Sequence, residues 1–322
     1  MERFKKRVLL LILVVVVLSL SSTSCAKKEA IYPSRPITYV ICFDPGGESD
    51  ITARFQQPVL TKLLGVPVAI SYITGGGGGT GWAQLTKTTP DGYTIYGTNL
   101  PHTIVQPLTG NAGYKTEQID NVYIFESTPC ILVVGKDSPI KTFDDFLKYA
   151  KAHPGMSIGG SGEPSANSLA TARLAQLANL KLTYVSFTGS GTAITALLGG
   201  HVDALMTYTS TFMLQKDQWR PLAVATEERV SNLLPDVPTF KELGYDLVEK
   251  AYRGVAVPPG TPENIRKVLE QAFEKVNQDP EVIKKMEDLA YVMENYNEAE
   301  SKKLVDQLTP YYKQLLETTE KP

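Results

Sequence analysis

The sequence predicts a two-lobed α/β protein in which each lobe is a mostly parallel sheet flanked by helices. Three observations predict it. Apolar strand-like runs alternate with helical patterns along most of the chain, as parallel βα units require. Glycine-rich turns stand repeatedly between such a strand and the helix that follows it. Once an N-terminal leader is set aside, about 300 residues remain, a length that suits two cores better than one.

The leader comes first in the chain. Arg3, Lys5, Lys6 and Arg7 precede the apolar run 8–18, which is too short to span a bilayer comfortably, so residues 1–24 read as a secretory signal peptide. Ser21-Ser22-Thr23-Ser24-Cys25 resembles a bacterial lipoprotein cleavage site, with Ser22 where an aliphatic residue is more usual. Cleavage there would leave Cys25 lipidated, a membrane anchor with residues 25–30 as its tether. The competing readings are an ordinary signal peptide cut near the same place and an uncleaved N-terminal anchor. Removing residues 1–24 leaves 28 basic against 33 acidic residues, a net charge near −5, and no lysine- or arginine-rich run, which argues against a nucleic-acid partner.

Strands are expected over 37–43, 68–73, 93–97, 131–134, 156–159, 182–187, 204–207 and 222–226. Helices are expected over 50–64, 81–88, 142–153, 166–178, 191–199, 263–279, 280–289 and 297–318, which makes the last third of the chain purely helical. The first lobe then comprises residues 31–131 completed by 252–322, and the second comprises 132–251. Two crossings, near 131–134 and 250–254, would form a hinge. Cys42 and Cys130 both lie in apolar runs and read as buried thiols rather than metal ligands, because no second ligand stands at zinc spacing; a disulfide between them stays open.

The chemistry is carried by the turns. Phe43-Asp44-Pro45-Gly46-Gly47-Glu48-Ser49-Asp50 takes a strand through two glycines into a helix. Glycine lets a ligand approach the backbone, and the first helical N–H groups have no intrahelical partner and carry the positive end of the helix dipole. The run Gly75 to Gly79, followed by Thr80 and Gly81, makes a second such opening, and Gly159-Gly160-Ser161-Gly162-Glu163-Pro164-Ser165 a third. Ser165 or Ser161 could simply cap its helix, but three openings on two lobes can converge on one cleft at the carboxyl ends of strands. Charge-assisted hydrogen bonds contribute about 1.5–3 kcal/mol each, so four or five donors would approach the roughly 8 kcal/mol of a micromolar complex. Backbone alone would then suffice for a small acid. Asp50 has two readings of equal weight, stabilisation of its own helix N-terminus or contact with a ligand hydroxyl, amine or water.

Other chemistries fit less well. Gly76 to Gly81 satisfies G-x-G-x-x-G trivially, but Tyr96 and Gly97 stand where a dinucleotide site needs an acidic residue, and no lysine follows the glycines as a P-loop requires. Neither Thr188-Gly189-Ser190-Gly191-Thr192 nor Gly160-Ser161-Gly162 has G-x-S-x-G spacing. His102 and His201 are expected in loops and His153 at a helix end, leaving little support for a catalytic base. No cofactor, metal or catalytic residue is expected.

The ordered segments Tyr32-Pro33-Ser34-Arg35-Pro36-Ile37, Phe43-Asp44-Pro45-Gly46-Gly47 with Asp50 and Ala53-Arg54, Gly75 to Gly81, Pro90-Asp91-Gly92-Tyr93-Thr94 and Ala152-His153-Pro154-Gly155 carry a family resemblance. Leu197-Leu198-Gly199-Gly200-His201-Val202-Asp203, Leu222-Ala223-Val224-Ala225-Thr226, Leu234-Pro235-Asp236-Val237-Pro238-Thr239, Glu242-Leu243-Gly244 and Pro258-Pro259-Gly260-Thr261-Pro262 continue it. Across nearly the whole mature length the chain resembles the substrate-binding proteins of tripartite tricarboxylate transporters, the Bug-type extracytoplasmic solute receptors. The resemblance implies a type II-like periplasmic-binding-protein fold that closes, as a monomer, over a small organic acid or amino acid and delivers it to a membrane permease. Carried over by position, Phe43, Pro45, Gly46, Gly47 and Asp50 would line one side with Gly77 and Gly78. Ser161, Gly162, Pro164, Ser165 and Ser168 would line the other, with Asp203 and Tyr208 near the cleft. The chain departs from the family pattern at Tyr72, where Asn is frequent, and at Thr188, where many members carry lysine. A secreted hydrolytic enzyme and a sensory binding protein are the alternatives.

Overall fold

A computed structural model describes residues 1–2, 32–110, 112–230 and 233–319. The expected lipidation site Cys25, its tether and all but the first two residues of the signal peptide lie outside them. No helix among the described residues is long and apolar enough to cross a membrane.

The chain begins with β1 (Ile37–Ile41), α1 (Glu48–Leu64), β2 (Val68–Tyr72), a short 3-10 turn (Gly76–Gly78) running into α2 (Gly79–Leu85), β3 (Thr94–Leu100) and α3 (His102–Thr109). After β4 (Asp120–Gly135) come α4 (Phe143–Ala152), β5 (Met156–Ser161), α5 (Ala166–Ala178), β6 (Leu182–Phe187), α6 (Ser190–Leu198), β7 (Ala204–Tyr208), α7 (Thr209–Gln215) and β8 (Trp219–Val224). The chain ends with β9 (Lys250–Val257), α8 (Glu263–Asn277), α9 (Pro280–Glu287), β10 (Val292–Asn297) and α10 (Glu298–Thr319).

The strands join in the order β2-β1-β3-β9-β4-β7-β5-β6, with β8 and β10 also paired to β4. The 16-residue β4 is shared between two sheets: Asp120 to Pro129 pair with β9, whereas Cys130 onward pairs with β7 and β8. The return crossing lies beside it. Glu249 is held by second-sheet backbone, donating to Ala225 O at 3.1 Å and accepting from Cys130 N at 2.9 Å, while Lys250 already pairs with Pro129 in the first sheet. Parallel pairing is confined to β1 with β2 and β3, and to β5 with β6 and β7, the strands that helices connect. The strands around β4 pair antiparallel, since β4 and β9 pass back through the sheets without a helical crossover.

Alternation along β4 buries both faces. Cys130, Leu132 and Val134 join Phe143, Phe146 and Phe240 on one side, and Ile131 and Val133 join Trp219, Val224 and α6 on the other. Cap residues set several helix starts. Thr142 accepts from Asp145 N at 3.1 Å, and Asp279 caps α9 with Pro280 as its first residue.

The expectation of a purely helical last third is corrected by β9 and β10. The β10 run, Val-Met-Glu-Asn-Tyr-Asn, is mostly polar and pairs irregularly with β4, so its sequence lacks strand patterning. His102 is also not a loop residue; it opens α3 and is buried.

Candidate functional site

The first-lobe turn folds as expected, but its amides divide into two groups. Gly46 sits at φ +78°, open to glycine and strained for other residues, and its N–H donates to Asp50 Oδ2 at 2.8 Å. Asp50 also accepts from Tyr72 Oη at 2.7 Å and pairs with Arg54. Burial works to raise the Asp50 carboxyl, yet the Gly46 amide, Tyr72 and Arg54 outweigh it and hold it below the usual range. These contacts fit the structural reading of Asp50, stabilisation of its own helix N-terminus. Gly47 N donates to Asp44 O at 3.3 Å. Beyond these, the amides of Glu48 and Ser49 at the start of the 17-residue α1 have no partner among the described residues.

The second-lobe turn commits most of its polar groups within itself. Ser161 N and Oγ both donate to Asn167 Oδ1, at 3.1 and 2.9 Å. Gly162 N bonds Phe187 O at 2.9 Å. Ser165 and Ser168 cap each other: Ser168 N donates to Ser165 Oγ at 3.1 Å and Ser165 N to Ser168 Oγ at 2.8 Å. Of this group Ser161 alone reaches the cleft; Ser165 and Ser168 hold the start of α5, and Gly162 and Pro164 face the glycine loop. The Ser161, Gly162, Ser165 and Ser168 amides, expected to be free, are therefore committed, whereas those of the buried Ala166 and Asn167 have no partner among the described residues.

The glycine loop also serves packing. Gly75 to Gly78 all have positive φ, and Gln106 Nε2 clamps the carbonyls of Gly76 and Gly77 at 3.2 and 2.8 Å. Gly78 lies under Trp82, where a Cβ would meet the ring at 2.6 Å, and its N–H bonds Gly75 O. A Cβ on Gly77 would lie 3.2 Å from Gly162 Cα, so these two glycines let the lobes touch.

Between the lobes lies a small polar cavity of about 10 Å³, room for about one water, lined by Phe43, Gly47, Glu48, Ser49, Asn99, His102, Ser161, Ser190, Tyr208 and Arg253. The N-terminus of the 9-residue α6 meets that of α1 here: a Cβ on Gly47 would lie 3.8 Å from Ser190 N. The Ser190 and Gly191 amides also lack partners among the described residues. Pro45 borders this contact, with its carbonyl 3.5 Å from the Cβ position of Gly191, and Thr188 Oγ1 donates to the Asp44 carboxylate.

Its floor is a buried charge cluster. Arg253 is 3% exposed, Glu48 4% and Glu126 0%. The Arg253 guanidinium pairs with Glu48, donates to Thr128 Oγ1 and stands 3.9 Å from Glu126. Register places it there, because β4 and β9 pair Glu126 with Arg253. From the second lobe, the Ser210 and Thr211 hydroxyls donate to Glu48, tying the cluster across the cleft. Burial raises Glu48 to about 7 against the pull of Arg253 and the Thr211 hydrogen bonds. Burial likewise lifts Glu126 to about 8, against Arg253 and with help from the Glu48 charge. His102 is lowered to about 3 by burial and then by Arg253, so its imidazole is neutral. Arg253 Nε, His102 Nδ1 and Tyr208 Oη are all buried without a hydrogen-bond partner. Orphans of this kind are rare in folded proteins, and three border one cavity.

The expected residues Phe43, Gly47, Ser161 and Tyr208 thus line the cleft. Asp203 does not: it accepts from Ser157 N and Oγ at the opposite ends of β5 and β7. Sequence reading missed Arg253, Glu48, Ser49, Asn99, His102 and Ser190 as lining residues. An arginine within the apolar strand Lys250–Val257 was the available signal, since a buried charge needs a partner. His102 shares the cleft with serines, yet its Nδ1 is unpaired and Ser161 Oγ is committed to Asn167, so no nucleophile–base hydrogen bond exists there. His153 accompanies Tyr149 at the exposed helix end, and His201 is exposed. Cys42 and Cys130 are free and buried.

A cavity of about 920 Å³ lies away from the cleft between the start of β4, α8 and α10. Its basic groups are already paired, as in Arg266–Glu298, Lys267–Glu263 and Lys302–Asp306.

Two α/β lobes joined by crossing strands around a polar cleft define a binding protein of the periplasmic type. The description "Tripartite tricarboxylate transporter family receptor" matches residues 52–320, and the chain belongs to that family. A protein of Agrobacterium vitis, described as a UPF0065 protein in the TAR-I ttuE-ttuC' intergenic region, is 31% identical over 83% of this chain and 78% of its own length. Among solved structures, periplasmic binding protein BugD is 25% identical, with a TM-score of 0.85 over 89% of this chain and 98% of that one. MatC from Rhodopseudomonas palustris with bound malate is 26% identical, with a TM-score of 0.83 over 88% of this chain and 99% of that one. The family places the chain outside the cytoplasm as a solute-binding receptor, which does not favour the secreted-enzyme reading.

Proposed function

We propose that this receptor closes its two lobes over a small carboxylate solute and hands it to a membrane permease of the tripartite tricarboxylate type, from a position tethered by lipidated Cys25. One observation carries the binding reading. Three buried polar atoms without partners, on α3, β7 and β9, border a cleft into which two helix N-termini also lead. Donors from four or five groups suit a carboxylate, and MatC, a relative of the same fold, holds malate. The site on this reading comprises Phe43, Gly47, Ser49, Ser161, Ser190, Tyr208 and Arg253, with the lobes turning about the crossings at 129–130 and 249–250. Lipidation rests on the sequence around Cys25.

A thermal-shift screen of the mature protein against short organic acids and amino acids tests it. A solute at a hundred times its dissociation constant adds about 2.7 kcal/mol of stability, seen as a midpoint several degrees higher. No shift with any carboxylate would sink the reading.

A further inference from the structure

We propose that Glu48 is a specificity residue that restricts the cleft to solutes whose only anionic group is a single carboxylate, excluding dicarboxylates. This rests on the carboxylate-receptor reading and sharpens it. Arg253 is the only cationic side chain among the described residues that line the cleft. It is already paired with Glu48, and Glu126 stands beside it at 3.9 Å. His102 is neutral and adds no positive charge. Nearby in the first turn, Asp44 takes the Thr188 hydroxyl and Asp50 takes Arg54, the cation closest in sequence to this turn.

The donors left for an anion are therefore neutral or already neutralised: the amides at the starts of α1 and α6, Tyr208 Oη, and the Nε–H of Arg253. These suffice for one carboxylate. A second would enter a small cavity beside Glu48 with no counter-charge, and like charges juxtaposed at low dielectric repel strongly. Glu48 cannot swing away cheaply, because Ser210 and Thr211 hold the oxygen that Arg253 does not. A neutral or ammonium-bearing remainder meets no such opposition.

Isothermal titration at about pH 9, above the values near 7 and 8 to which burial lifts Glu48 and Glu126, decides the matter with pairs that differ only by carboxylate against carboxamide: glutamate against glutamine, succinate against succinamate, and their longer homologues. The expected result is tighter binding of the carboxamide member by at least about tenfold. Glu48→Gln, checked for an unchanged circular dichroism spectrum, should bring each pair close to parity. Dicarboxylates binding as tightly as their monocarboxylate partners in the natural protein would overturn the inference while leaving the receptor reading intact, and that comparison needs no variant. A folded Glu48→Gln protein that discriminates as before would overturn the role of Glu48. Failure of every acid to bind would remove the receptor reading itself, and the inference with it.

Discussion

The loops opening α1 and α5 are alike in sequence and opposite in use. Both follow a strand, both contain glycines and both start a helix at the cleft between the lobes. In the first, Gly47 caps α1 without a side chain, so the Glu48 and Ser49 amides stay available. In the second, Ser165 and Ser168 close a reciprocal cap and Asn167 takes the Ser161 amide, while the amides of Ala166 and Asn167 have no partner among the described residues but belong to fully buried residues. Glycine makes a turn possible; the side chains after it decide whether its amides face a ligand. On the proposed reading the first loop is an electrostatic site resting on Arg253, and the second a wall beside it.

Removing the charge under the first loop is the harshest way to break that contrast. Arg253→Leu leaves Glu48 and Glu126 buried without a cation, and breaking a buried ion pair costs about 3–5 kcal/mol. Urea unfolding should show that loss, and titration should show lost carboxylate binding in whatever folded fraction remains. A stability change under about 1 kcal/mol would mean that the cluster is not held by charge.

A second, milder effect follows from protonation. Glu48 is raised to about 7 and Glu126 to about 8, so between pH 5 and 8 the folded chain holds protons that the unfolded chain has released. Stability from these groups is then complete below the ordinary carboxylate range and declines as pH rises through 7 and 8. The thermal midpoint should fall over that interval, and Glu126→Gln should flatten the fall. A midpoint that rises from pH 5 to 8 in the natural protein would contradict the assignment.

The contrast also explains what the sequence could reveal. Phe43 to Gly47 and Gly159 to Ser168 announce themselves as strand, turn and helix, because those signals lie within a dozen neighbouring residues. The charge cluster does not. Glu48 and Arg253 are 205 residues apart, and only the β4–β9 register brings Glu126 to Arg253. Both are visible as charged residues inside apolar strands, a sign that each needs a partner but not which one. Backbone amides posed the converse difficulty, since whether Gly46 N or Ser161 N is free depends on side chains that sequence places nearby but does not orient. The Asp203 position shows the same limit: it immediately precedes a strand whose far end, Tyr208, lies in the cleft.

The smallest effect is the most specific to the comparison. Ser165 is fully buried; its Oγ accepts from Ser168 N at 3.1 Å and donates to Gly162 O at 2.8 Å, but it does not line the cleft. Ser165→Ala removes the cap and should cost about 1 kcal/mol, a drop in thermal midpoint of roughly 2–4 °C for a protein of this size class. Ligand affinity should stay within about twofold, because the wall supports the site without touching the solute. If affinity instead falls by tenfold or more while the midpoint barely moves, the serine turn contacts the ligand directly, and the two loops are equivalent cradles after all.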